Sequence, residues 1–139
     1  MAPTQGLSLR NVGLFAGLPP SDFKDIAALA REEAHPDGAK LAREGEAGDR
    51  MFVIASGTVR VVAGSEARVI ARRVAGDVVG ELAVVTDQPR VASLVCDGEV
   101  RVLVISRREF ESVVRDRPQV AHAIIRVLGA RLAESLRAA

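Results

Sequence analysis

The chain has 139 residues, 48% of them hydrophobic and 27% charged, the composition of a single folded domain with a sizeable core. Nineteen Lys and Arg against eighteen Asp and Glu leave a net charge of +1, so no whole-molecule field attracts polyanions. Four Phe are the entire aromatic complement, which argues against a surface that stacks single-stranded nucleic acid. The charge is lopsided in kind, with 17 Arg and two Lys, and the forked guanidinium suits phosphate.

Several chemistries drop out early. Cys96 is the single cysteine, so an internal disulfide is excluded, and the apolar run Val91–Val95 beside it predicts a small core residue. His35 and His122 stand far apart with no ligand spacing around them, so no metal site is expected. Neither Gly-x-Ser-x-Gly nor Gly-x-x-x-x-Gly-Lys occurs, so the expectation is a protein that is not an enzyme and needs no cofactor. No stretch approaches the ~20 apolar residues that span a bilayer. No basic-then-apolar leader opens the chain, and a cytoplasmic location is the default expectation.

Residues 1–13 read as a flexible lead-in, and one domain is expected over 14–139. Pro20 and Asp22 suit a helix start, and Phe23, Ile26, Ala27 and Ala30 follow at helical spacing, predicting a helix over 20–34. His35-Pro36-Asp37-Gly38 ends it. From about 38 to 106 the period becomes two. Met51–Ala55 is an apolar run, Val59 and Val61 alternate with polar residues, and Gly64-Ser65 turns the chain into Ala67–Arg73. Val91–Cys96 and Val100–Ile105 are predicted to pair as a hairpin around Asp97-Gly98. Gly45, Gly48, Gly57 and Gly76 read as turn residues. Helices return over about 107–138: Arg107–Asp116, then a second from Pro118, with an apolar stripe of Val120, Ile124, Ile125, Leu128, Leu132 and Leu136. The fold class is α+β, an antiparallel β-roll (double-stranded β-helix or jelly roll) flanked by an N-terminal helix and C-terminal helices.

Residues 76–93 interrupt the strand pattern with two glycines, a Leu-Ala-Val-Val patch and an arginine after a proline. Gly80 permits close backbone approach to a ligand. Glu81 can open a short helix whose free N–H groups face an anion. Arg90, nine residues on, can fold back over the same place and meet an anion with two parallel hydrogen bonds, and Glu81, an acceptor only, suits a sugar hydroxyl. These groups describe a pocket for a phosphorylated sugar.

Gly76-Asp77-Val78-Val79-Gly80-Glu81-Leu82-Ala83 followed by Pro89-Arg90-Val91-Ala92-Ser93 resembles the phosphate-binding cassette of cyclic nucleotide-binding domains. The stretch from Glu44 to Val61, with its glycine turns around strands, is similar to the family's second conserved region. The resemblance covers about residues 14–135. It implies that Arg90 pairs with the exocyclic oxygens of a cyclic phosphate and that Glu81 accepts from the ribose 2′-hydroxyl. The N–H groups of Gly80, Leu82 and Ala83 would complete the cradle, with Ser93 near the pocket. The base would rest on β-roll valines under an apolar lid from Ile124, Ile125 or Leu128. Two positions depart from the family: Val79 stands where Phe is common, and Val91 where Ala, Ser or Thr is frequent. Val91 offers no hydroxyl of the sort that favours guanine, so cyclic AMP is expected over cyclic GMP.

The implied function is a cyclic nucleotide sensor whose ligand moves the C-terminal helix. The alternative is an interaction or dimerisation module of the same fold that binds no nucleotide, and a roll-type enzyme is a distant third. The helical stripe suits internal packing, a lid or a homodimer seam alike. Residues 100–139 hold eight Arg against four acids, read as a solvated face; no helix-turn-helix occurs within the 139 residues, and the effector is unassigned.

Overall fold

The computed structural model describes residues 28 and 30–138 of the chain. The lead-in of residues 1–13 and residues 20–27 of the expected first helix lie outside the described residues. The chain runs β1 (Arg31–His35), β2 (Lys40–Ala42), β3 (Arg50–Ala63), β4 (Arg68–Val74), β5 (Val78–Val79), α1 (Glu81–Val85), β6 (Ser93–Ser106), α2 (Arg107–Asp116) and α3 (Pro118–Ala138).

All pairings are antiparallel. The sheet order is β1-β6-β3-β4, with β2 on β6 and β5 on β3. The long strands β3 and β6 pair along almost their full length, Arg50 opposite Ser106 at one end and Val62 opposite Ser93 at the other. Their register shifts between Ile54 and Thr58, where both strands bend. Gly57 makes the bend feasible: its φ is +94°, and a Cβ there would lie 2.5 Å from the Glu99 carbonyl oxygen. The expected hairpin around Asp97-Gly98 is therefore absent. Residues 93–106 form one bent strand, and each half of it pairs with β3 on one side and with β1 or β2 on the other.

Two further expectations shift. The predicted helix over 20–34 overruns, because Arg31–His35 is strand β1, paired from Arg31 with Val104 to His35 with Val100. Arg-Glu-Glu-Ala favours a helix locally, but the open edge of β6 supplies backbone partners that outweigh propensity. The roll thus begins at residue 31 rather than near 38. The turn at Gly64, by contrast, joins β3 to β4 as the sequence implies, with the Ala67 N–H donating to the Gly64 carbonyl at 3.0 Å. Both C-terminal helices carry the expected bounds, and Pro118 sits in the first position of α3, where no N–H is needed.

Met51–Ala55 reads as an unbroken apolar run because this strand is covered on both faces. Met51 and Val53, with Leu103 and Ile105 of β6, pack against Phe110, Val113, Val120 and Ile124 of the two long helices. Phe52 and Ile54, with Val102 and Val104, point the other way into the roll, beside Val59, Leu94 and Cys96. Cys96 is fully buried there, as its apolar neighbourhood implies.

Candidate functional site

The short strand β5 pairs with β3, Phe52 opposite Val79 and Val53 opposite Val78, and so carries the chain to the mouth of the roll. Gly80 then turns with φ +79° and caps α1, whose five residues end at Val85 with Thr86 as the C-cap. Thr86 closes the helix by donating both its hydroxyl (2.7 Å) and its N–H (2.9 Å) to the Leu82 carbonyl. Pro89 follows, and Arg90 returns over the start of α1.

Arg90 is only 9% exposed. Its Nη1 donates to the Gly80 carbonyl at 3.1 Å and its Nη2 to the Arg50 carbonyl at 2.8 Å. Its backbone is pinned as well, the N–H donating to the Glu46 carbonyl and the carbonyl accepting from Gly45 N–H, each at 2.8 Å. The guanidinium lies 6.0 Å from the centre of the Phe52 ring. Burial first, and the neighbouring Arg50 charge second, push its pKa below the usual arginine value, while Asp49, Glu46 and Glu81 pull the other way. Among the described residues no carboxylate pairs with it, so a buried cation is held by carbonyls alone and faces a cavity. A small anion would complete it.

Glu81 is 5% exposed. Its carboxylate accepts from Nη1 of Arg131 on α3, not from Arg90. The cavity has a volume of about 530 Å³, the size of a small-ligand site. Gly80, Glu81, Leu82, Ala83, Arg90 and Val91 all line it, so the structure brings these six residues together around one cavity. The rest of the wall is mainly apolar: Val61, Ile70, Val79 and Leu94 from the roll, Leu128 and Leu132 from α3.

The lid expectation needs correction in two of its three residues. Leu128 lines the cavity, but Ile124 is 3% exposed within the core beneath α2, and Ile125 is 63% exposed on the outer side of α3. Neither is among the residues that line the cavity. The face presented to the site runs through Leu128, Arg131, Leu132 and Ser135, one turn further along the helix than expected. Ser93 is not among the lining residues; its hydroxyl accepts from the Glu44 N–H at 2.9 Å, tying the β2–β3 loop to β6.

Three contributors carried no clear signal in sequence. Arg131 looks like any helical arginine until the helix is docked. Gly48 reads as a turn residue, yet its missing side chain is what admits Arg90: a Cβ there would lie 2.5 Å from Nε of Arg90 and 2.6 Å from the Ala83 Cβ. Arg107, at the start of α2, donates to the carbonyls of Val84 (2.8 Å) and Gly48 (3.0 Å) and also to those of Ala83 and Thr86. It satisfies the carbonyl end of α1 and fixes the cassette to α2.

The mouth of the double-stranded roll thus holds a buried arginine with no carboxylate partner among the described residues, beside a buried glutamate. Residues 32–117 match the cyclic nucleotide-binding domain, and the chain belongs to that family. Over 127 residues it is 30% identical to the CRP-like cAMP-activated global transcriptional regulator of Mycobacterium tuberculosis, covering 89% of this chain and 57% of that protein. Identity to the cyclic AMP receptor protein of Thermus thermophilus is 28% over 125 residues, covering 88% and 58%. The crystal structure of the Thermus thermophilus catabolite activator protein superposes with a TM-score of 0.82 at 27% identity, covering 88% of this chain and 59% of that one. A cyclic nucleotide-binding domain from Methylobacillus flagellatus superposes with a TM-score of 0.83 at 25% identity, covering 94% and 79%. The chain spans 57–58% of the length of the two curated relatives. No helix of the described residues is long and apolar enough to cross a membrane.

Proposed function

We propose that this chain is a regulatory module that binds cyclic AMP between the cassette and α3. The observation that carries the reading is Arg90: a buried guanidinium with two carbonyl partners and no carboxylate partner among the described residues, at the wall of a cavity sized for one nucleotide. In this reading Arg90 neutralises the single charge of the cyclic phosphate. The N–H groups of Gly80, Leu82 and Ala83 complete its cradle, and Glu81 accepts from the ribose hydroxyl. The base lies among Val61, Val79, Leu94 and Leu128. Val91 lines the cavity without a hydroxyl to offer guanine, which favours adenine. The output passes through α3, the element that closes the cavity and also packs on the roll core through Val120 and Ile124.

A ligand that binds only the folded protein stabilises it by about 2.7 kcal/mol at a hundred times its Kd. For a domain of this size that is a rise in melting temperature of roughly 8 °C. Cyclic AMP should produce a shift of this order, cyclic GMP a smaller one and cyclic di-GMP none. No shift with any of the three at millimolar concentration would overturn the reading in favour of an interaction module of the same fold.

A second proposal concerns assembly. Ile125, Leu132 and Leu136 are 63%, 61% and 68% exposed on one helix. Their spacing of seven and then four residues is that of a heptad seam. We propose that this seam joins two copies of the chain.

A further inference from the structure

The face of the roll turned away from the cavity carries a row of cations. Val61 and Leu94 pair across β3 and β6 and line the cavity. Their chain neighbours Arg60 and Val95 are therefore presented on the opposite face. The register places Arg72 of β4 opposite Arg60, Arg60 opposite Val95 of β6, and Val95 opposite Lys40 of β2. Four strands thus set Arg72, Arg60 and Lys40 in one line, with the Arg72 and Arg60 backbones about 5 Å apart. Like charges directly opposite one another destabilise a sheet, and little offsets this pair. Asp97 meets Arg72 at 3.5 Å, but both side chains are more than half exposed, so the bond is weak. Arg60 has no ion pair among the described residues. Its Nε is shut off from solvent without a hydrogen-bond acceptor, alone in this among the described side chains. The arginines of the cassette region differ: Arg90, Arg107 and Arg131 all donate to carbonyls.

We propose that this row docks an acidic segment of a partner protein, with a carboxylate bridging Arg60 and Arg72. In the free protein the Nε donor of Arg60 is enclosed and unused. A carboxylate takes Nε and a terminal nitrogen of one guanidinium side by side. An incoming anion therefore draws the Arg60 side chain outward, gives Nε its acceptor and screens Arg60 from Arg72. The surroundings select among anionic partners. Val69 and Val74 of β4 flank the row on the same face, opposite Val62 and Thr58, and are 38% and 52% exposed. Apolar side chains on either side of the cations fit a segment whose carboxylates alternate with apolar residues. Nucleic acid is the poorer match, because its affinity grows with the number of phosphates neutralised. Three cations beside Asp97, in a chain of net charge +1, neutralise few. The surface stands independently of the nucleotide reading, and its place on the other face of the sheet lets both sites be filled together.

Fluorescence anisotropy of the full chain with a labelled peptide that alternates Glu with Val tests the proposal. Wild type should bind the peptide, more weakly as salt is raised. Arg60→Met and Arg72→Met should each weaken binding about tenfold, as for a lost hydrogen bond to a charged group. The same peptide with Gln in place of Glu should not bind. Thermal unfolding of the free proteins supplies a second readout. Arg60→Met keeps the stem and removes a donor that has no acceptor and a charge opposed by Arg72, so it should melt no lower than wild type. No peptide binding by wild type at millimolar concentration would overturn the proposal, as would equal binding by wild type and Arg60→Met. A short DNA duplex that binds more tightly than the peptide, and loses affinity in Arg60→Met, would overturn it in favour of a nucleic-acid surface. An Arg60→Met chain that melts well below wild type would make Arg60 a structural residue and overturn it too.

Discussion

Arg90 is held from four directions, by its own backbone bonds to Gly45 and Glu46 and by side-chain bonds to Gly80 and Arg50. That degree of fixing suits a group meant to meet its ligand already oriented. The space for it comes from absent atoms at Gly48 and Gly80. Gly48→Ala should therefore displace the guanidinium and weaken cyclic AMP binding at least tenfold, with the circular dichroism spectrum kept. Wild-type affinity in that variant would show that the clearance at Gly48 is not needed. Cys96 gives a second check at this scale. Burial raises its thiol pKa, with Asp37 adding to the shift, so the folded state favours the neutral form. The resulting stabilisation is complete below the unfolded-state pKa and is lost as pH rises through the folded value. A thiol reagent at pH 8 should label Cys96 only after denaturant is added; rapid labelling of the native protein would contradict its burial. Arg90 and Glu81 could be found in the sequence because their spacing about a glycine turn is local. Arg131 and Gly48 could not, since each matters through neighbours far away in the chain, Arg131 through Glu81 and Gly48 through Ala83 and Arg90.

Among the elements, α1 is the most dependent on its surroundings. A five-residue helix has almost no stability of its own, and Arg107 supplies acceptors' partners at its carbonyl end. Replacing Arg107 by Met keeps most of the stem and removes the donors. Urea unfolding should then show a loss of about 1.5–3 kcal/mol, the range for hydrogen bonds made by charged groups. A variant as stable as wild type would mean that water replaces Arg107 at those carbonyls. The start of α2 carries a reciprocal cap. Ser106 Oγ accepts from the Glu109 N–H at 3.1 Å, and Glu109 Oε1 accepts from the Ser106 N–H at 2.8 Å. The spacing Ser-Arg-Arg-Glu is visible in the sequence. What the sequence obscured was strand continuity: Asp97-Gly98 carries the turn residues of a hairpin, yet here serves a bend opposite Gly57. Local residue types cannot separate these cases, because the distinction lies in which strand each half pairs with.

At the scale of the whole molecule, two apolar clusters share strands β3 and β6, one facing the helices and the other filling the roll. The cassette hangs from the same strands through β5, and α3 spans from the helical cluster to the cavity wall. Fold and site are therefore one mechanical unit, and the β-roll and paired C-terminal helices were readable from periodicity and the cassette motif together. The proposed seam on α3 is testable without ligand. Sedimentation should give a dimer for wild type and a monomer for a double substitution of Ile125 and Leu136 by Glu. A monomeric wild type would remove the seam from consideration. The central claim, that Arg90 is the phosphate partner, is tested most directly by titration calorimetry of wild type and Arg90→Ala with cyclic AMP. The predicted result is a one-to-one isotherm for wild type and a loss of about 2–5 kcal/mol in the variant, as for a buried charge deprived of its partner. Equal affinities in the two proteins would contradict it.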